Sequence, residues 1–172
     1  DSETKKEVTG IEIIDNDELE GFKKVLPNAK FPFICSNYDF KNTILDGQTI
    51  PYKIFNKNGI RVGIFGVGIE LEGLVGKKSY GETVYLDPIE IAQQYADFLR
   101  NDKKCDLVIC LSHIGYDYKD TPDRISDKHL AAKTEGIDLI LGGHTHTFLP
   151  EPQSFLNKAG KNVLVNQVGW AG

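Results

Sequence analysis

Two apolar runs with one helix-compatible stretch between them constrain this chain more than any other feature. Residues 106–111 read Asp-Leu-Val-Ile-Cys-Leu, and residues 137–141 read Ile-Asp-Leu-Ile-Leu. Short apolar runs bounded by turn residues predict buried strands. Between them, residues 125–136 offer Ser126 or Asp127 as a helix N-cap, a helix-favouring middle and Gly136 as a stop. Strand, helix and strand at this spacing predict a βαβ unit at 106–141, and so an α/β fold. Such units are almost always right-handed and put two parallel strands in one sheet, carboxyl ends on one edge. Open α/β sheets bind their ligands at that edge.

The residues just past each run supply the edge with chemistry. The first run ends in Ser112-His113-Ile114-Gly115 and the second in Gly142-Gly143-His144-Thr145-His146-Thr147. Two glycines allow a sharp turn where a side chain would crowd. Histidines two apart in extended chain leave the same face. Imidazole is the commonest biological ligand for borderline transition metals. The topology therefore gathers His113, His144 and His146 as candidate metal ligands. The fourth histidine, His129, lies inside the helix without a partner motif and reads as an ordinary hydrogen-bonded residue.

Composition narrows the partners. A chain of 172 residues suffices for one domain with a core, and 40% hydrophobic with 26% charged residues is ordinary for a globular protein. A net charge of −5 argues against a nucleic-acid polymer or an anionic membrane surface, which ask for a basic face. No run approaches a membrane span, and the start, Asp1-Ser2-Glu3-Thr4-Lys5-Lys6, has no signal-peptide pattern. Cys35 and Cys110 lie in apolar runs as small core residues, and Cys105 just precedes a strand. Three cysteines without paired spacing give no disulfide framework.

The remaining chain reads in order. Residues 1–16 form a polar tail or junction, and an α/β domain occupies 17–172. A short helix over 17–24 is capped by Asn16 or Asp17, shares Leu19 and Phe22 on one face, and ends at Pro27. A strand over 31–36 precedes a loop through Asn42, Asp46 and Gly47. Runs at 52–55 and 60–65 flank Asn56-Lys57-Asn58-Gly59, a strong hairpin signal. Residues 70–84 read as a loop. Asp87, Pro88 and Glu90 open the clearest helix, with Ile91, Tyr95, Phe98 and Leu99 as its apolar stripe and an end near Asp102. After the βαβ unit come a loop with Pro150 and Pro152 and a last strand over 162–168.

With these residues in view, the chain resembles the calcineurin-like metallophosphoesterase superfamily, in its 5′-nucleotidase type. The resemblance runs from about residue 22 to 172. It rests on Leu111-Ser112-His113-Ile114-Gly115-Tyr116, on residues 136–147 with Gly142-Gly143-His144-Thr145-His146, on Gly63-Ile64-Phe65-Gly66 and on Phe33-Ile34-Cys35-Ser36-Asn37. It implies part of a four-layer α/β/β/α sandwich and a binuclear centre of divalent metal ions, zinc or manganese. It implies hydrolysis of a small phosphoester or nucleotide substrate, as in nucleotide catabolism. The residues matching His113 and His144 bind one metal in that family, and the residue matching His146 binds the other. The resemblance also implies a periplasmic or extracellular location and a separate C-terminal nucleotide-specificity domain.

The departures bear on mechanism. The family's first half carries Asp-x-His, a bridging carboxylate in a Gly-Asp segment, and Gly-Asn-His-Glu or -Asp. None of these occurs here, and the last place reads Gly10-Ile11-Glu12-Ile13-Ile14-Asp15-Asn16. The expectation is therefore the C-terminal half of a catalytic domain, without its N-terminal metal-binding half, whether an excised fragment, a degraded product or one product of a split gene. Three neutral imidazoles do not hold two dications about 4 Å apart without bridging anions. Asp117, Asp120 and Asp123 read as a solvated loop rather than as replacement ligands. One well-bound metal is the expectation for the chain as it stands. No catalytic or substrate-binding residue is identifiable. The alternative reading is a catalytically inactive metal-binding or protein-interaction remnant of the fold.

Overall fold

The computed structural model describes residues 26–170. The tail expected at 1–16 and the helix expected at 17–24 lie outside the described residues. The strand expected over 31–36 is only β1 (Phe33–Ile34), and it stands apart from the main sheet. It pairs in parallel with β3 (Thr49–Ile50), while β2 (Tyr38–Asp39) pairs antiparallel with β6 (Val84–Tyr85). Both β3 and β6 come from stretches without alternation, so only long-range pairing defines them.

The main sheet begins with the expected hairpin. Asn58 and Gly59 take left-handed backbone angles, φ 52° and 87°, and turn the chain from β4 (Tyr52–Lys57) into β5 (Ile60–Gly68). Two such residues in succession match the twist of the flanking strands. The sheet then adds β7 (Leu107–His113), β8 (Leu139–Gly142), β9 (Gln153–Leu156) and β10 (Asn162–Gln167), in the order β4-β5-β7-β8-β10-β9. Strands β5, β7, β8 and β10 are parallel, and β4 and β9 are antiparallel edges. Strand β9 arises where the sequence predicts a proline-bearing loop. The prolines precede it, and as an edge strand it buries little besides Phe155, which packs against the core.

Among the described residues, three α-helices accompany the sheet. A single turn, α1 (Lys77–Tyr80), interrupts the stretch expected to be loop. Helix α2 (Pro88–Asp97) starts as its signals predict: Ile89 and Glu90 donate backbone N–H groups to Asp87 Oδ1 at 2.8 and 3.0 Å. It runs on through a π-helical turn over Phe98–Asp102. Helix α3 (Asp127–Lys133) joins β7 to β8, giving the expected βαβ unit. Ser126 caps it by position only, because its hydroxyl meets His129 Nδ1 at 2.9 Å.

Register explains the core. Phe65, Cys110, Ile140 and Val165 stand side by side across the four parallel strands, and all are fully buried. Ala92, Ala96 and Leu99 after Asp87, and Leu130 and Ala131 of α3, join them in one cluster. Cys105 is also buried, whereas Cys35 lies past β1 and is half-buried. The opposite face of the sheet differs. Leu111, Leu141 and Leu164 are 38%, 41% and 43% exposed. Parallel sheets are normally covered on both faces, which is why their strands read as continuous apolar runs.

Candidate metal centre

Register also delivers the histidines. His113 ends β7 beside Gly68, and β8 ends at Gly142 beside Gln167. His113 and the 143–147 turn therefore leave the same carboxyl edge. The rings of His113 and His144 meet edge to face with centroids 5.3 Å apart. His146 packs edge-on against Trp170, centroids 4.4 Å apart. Burial, followed by the charge of His146, holds His113 below the ordinary histidine range. Burial, then the charges of His113, Arg124 and His146, does the same to His144. Both rings are accordingly neutral near pH 7, the form that ligates a metal.

The glycines of this turn act otherwise than their sequence position suggests. The left-handed residues are the histidines themselves, His144 at φ 77° and His146 at φ 52°. Thr145 donates its N–H to the Gly143 carbonyl at 3.1 Å, closing a tight turn around His144. Left-handed backbone at a non-glycine residue costs on the order of 1–3 kcal/mol and concentrates at functional sites. Gly142 and Gly143 are instead needed for room. A β-carbon on Gly142 would meet Asp127, and one on Gly143 would lie 2.9 Å from His113 Nδ1.

A polar layer lies beneath the turn. Asp127 is fully buried and accepts a hydrogen bond from Ser112 Oγ at 2.5 Å, while its Oδ2 has no partner among the described residues. Burial pushes its carboxyl up to about 7, against the opposing pull of Ser112. Gln167, also buried, bonds the turn itself. Sequence reasoning named neither residue as part of the site. A signal existed for Gln167, which breaks the inward-facing row begun by Val163 and Val165.

The remaining candidates fall elsewhere. Asp117 pairs with Lys128 Nζ at 2.6 Å, and that hydrogen bond holds its carboxyl below the ordinary range. Asp120 and Asp123 are exposed. Among the described residues, no three His, Cys, Asp or Glu side chains gather as a group able to hold a cation. The donors present are neutral imidazoles. They suit a borderline cation as a partial ligand set. They do not by themselves fit a two-cation centre, which needs a bridging anion.

No protein-family model matches the chain. The snake venom 5′-nucleotidase of Naja atra is 34% identical over 129 residues, which is 73% of this chain and 22% of that protein. The NAD nucleotidase of Haemophilus influenzae superposes with a TM-score of 0.70 at 26% identity, over 86% of this chain and 30% of that one. The 5′-nucleotidase precursor of Thermus thermophilus superposes with a TM-score of 0.67 at 30% identity, over 84% of this chain and 29% of that one. The chain thus spans less than a third of each of these relatives. The glycine-histidine turn, the parallel sheet that carries it and these likenesses agree, and the chain belongs to the 5′-nucleotidase-type metallophosphoesterases.

Proposed function

We propose that this chain supplies the histidine-bearing half of a catalytic domain that hydrolyses phosphomonoesters, with nucleotides as the substrate class. The observation that carries the proposal is the meeting of His113 and His144 at the carboxyl edge, beside a strained turn that also holds His146. His113 and His144 ligate one divalent cation, zinc or manganese, and His146 contributes to a second. Bound divalent cations lower the pKa of coordinated water and neutralise charge on phosphate oxygens. The chain's own part is to keep the imidazoles neutral and aimed. Bridging carboxylates come from the rest of the complete protein.

The open face of the sheet supports that division. Leu111, Leu141 and Leu164 stand exposed there, and Asn166, level with Leu141, has a buried side-chain oxygen without a partner among the described residues. A second layer from the N-terminal half would cover this face. The names of a venom 5′-nucleotidase and an NAD nucleotidase speak for nucleotide substrates and for hydrolysis rather than an inactive remnant. A venom protein and a precursor among the relatives speak for an extracellular or periplasmic location. No helix of the described residues is long and apolar enough to cross a membrane.

The test compares this chain with the complete protein on AMP and p-nitrophenyl phosphate, with added manganese or zinc. The complete protein turns both over with metal, and His144→Ala lowers the rate at least about 100-fold, on the scale of lost metal positioning. The chain alone stays at background. Robust turnover by the chain alone would overturn the divided site and place the bridging on Asp117, Asp120, Asp123 or Asp15. A complete protein that binds one cation and stays inactive would make the remnant the better reading.

A further inference from the structure

Gln167 ends β10 in an inward-facing row with Val163 and Val165, and it is 1% exposed. A buried amide is unfavourable unless its donors and acceptor are used. Here they converge on one target. Nε2 donates to the Gly143 carbonyl at 2.6 Å. Oε1 accepts from the Thr147 N–H and from Thr145 Oγ1, the latter at 3.0 Å. These three groups bracket His144 and His146, the two left-handed residues of the turn. Thr145 Oγ1 in turn accepts from the Tyr116 N–H at 3.0 Å, so the same contact ties the turn to the segment after His113. A strained backbone persists only where its surroundings over-determine it, and the Gln167 amide grips this one at both ends.

We propose that Gln167 is the positioning residue of this centre: it holds the 143–147 turn in its strained form and thereby sets how tightly His144, with His113, takes one cation and His146 takes the other. The cation part rests on the function proposed above, whereas the grip on the turn does not. Residues that orient ligands without touching the metal typically change affinity by about 10–100-fold when lost.

The experiment uses the whole chain with Gln167→Met, which removes all three bonds, and Val165→Ala, which damages the same strand without touching the turn. Thr145→Val is a milder variant: it removes the hydroxyl's contacts with Gln167, Tyr116 and Thr147 but leaves the Gln167 bonds to the Gly143 carbonyl and the Thr147 N–H. One readout is hydrogen exchange of the Thr147 amide without metal. The other is cobalt(II) affinity from visible absorption. Gln167→Met accelerates Thr147 exchange and lowers cobalt affinity about 10-fold or more, and Thr145→Val moves both in the same direction by less. Val165→Ala lowers stability but leaves both readouts near wild type. Unchanged exchange in Gln167→Met, unchanged affinity despite faster exchange, or equal losses in Val165→Ala would each overturn the proposal. Should Gln167→Met not fold, Thr145→Val decides by the same signs. A wild-type chain that takes up no cobalt would instead refute the metal reading, and Thr147 exchange would then decide the grip of Gln167 alone.

Discussion

Asp127 and Gly142 approach so closely that a β-carbon on Gly142 would overlap Asp127 Oδ2. The carboxyl is fully buried and hydrogen-bonded to Ser112, so it has little freedom to withdraw. Overpacking a core position typically costs about 1–3 kcal/mol. Gly142→Ala should lower unfolding stability by about that amount in a denaturant titration. Wild-type stability in this variant would show that the contact is not tight.

The same carboxyl makes stability depend on pH. Burial raises it from 3.8 to about 7 in the folded chain. The folded state therefore holds this proton more tightly than the unfolded state does. The stabilisation is full below the unfolded value and is lost as pH rises through the folded value near 7. A pKa unit is worth about 1.4 kcal/mol, so the ceiling over the window is about 4 kcal/mol. Asp127→Asn should flatten the loss between about pH 4 and pH 8, as read from urea midpoints. Identical pH profiles in both proteins would mean that the carboxyl is not shifted.

Histidine titration gives a separate check. His113 and His144 both lie below the ordinary histidine range, chiefly through burial. Cobalt uptake should hold at neutral pH and weaken only in acid, as protons compete for the ring nitrogens. His113→Ala or His144→Ala should lower the affinity about 10-fold or more. His129→Ala should leave it alone, since that ring serves Ser126 within its helix. Equal losses from all three would dissolve the distinction between site and helix.

Adjacent residues of β8 face opposite ways, which makes the open face testable. Ile140 is fully buried and Leu141 is 41% exposed. Ile140→Ala should cost about 2–5 kcal/mol. Leu141→Asn in the chain alone should stay within about 0.5 kcal/mol, as surface changes do. In the complete protein Leu141→Asn should be damaging, because the second layer would bury it. Calorimetry of the two forms distinguishes these outcomes.

The legible parts of the fold rest on local signals. Asn58-Gly59 demands two left-handed residues, and Asp87-Pro88 demands a helix start, whatever the rest of the chain does. The apolar runs at Val108 and Ile140 predict buried strands, and one helix between them predicts parallel neighbours. The pairs β1–β3 and β2–β6 are not legible, because two-residue strands carry no period and exist only where a distant partner meets them. Strand β9 hides behind Pro150 and Pro152 for a related reason: its pairing to β10 outweighs its weak local pattern.

At the site, the order of residues alone is enough to bring His113, His144 and His146 to one sheet edge, since strand direction and helix crossover leave few topologies. How they are held there depends on packing. His144 and His146, not the glycines, take the left-handed backbone, and Gly142 and Gly143 make room for Asp127 and His113. Gln167, twenty or more positions away in sequence, bonds the turn at both ends. Dihedral preferences and periodicity act between near neighbours and can be read along the chain. Close approach and buried hydrogen bonds depend on which distant atoms the packed sheet brings together, and no local pattern records them.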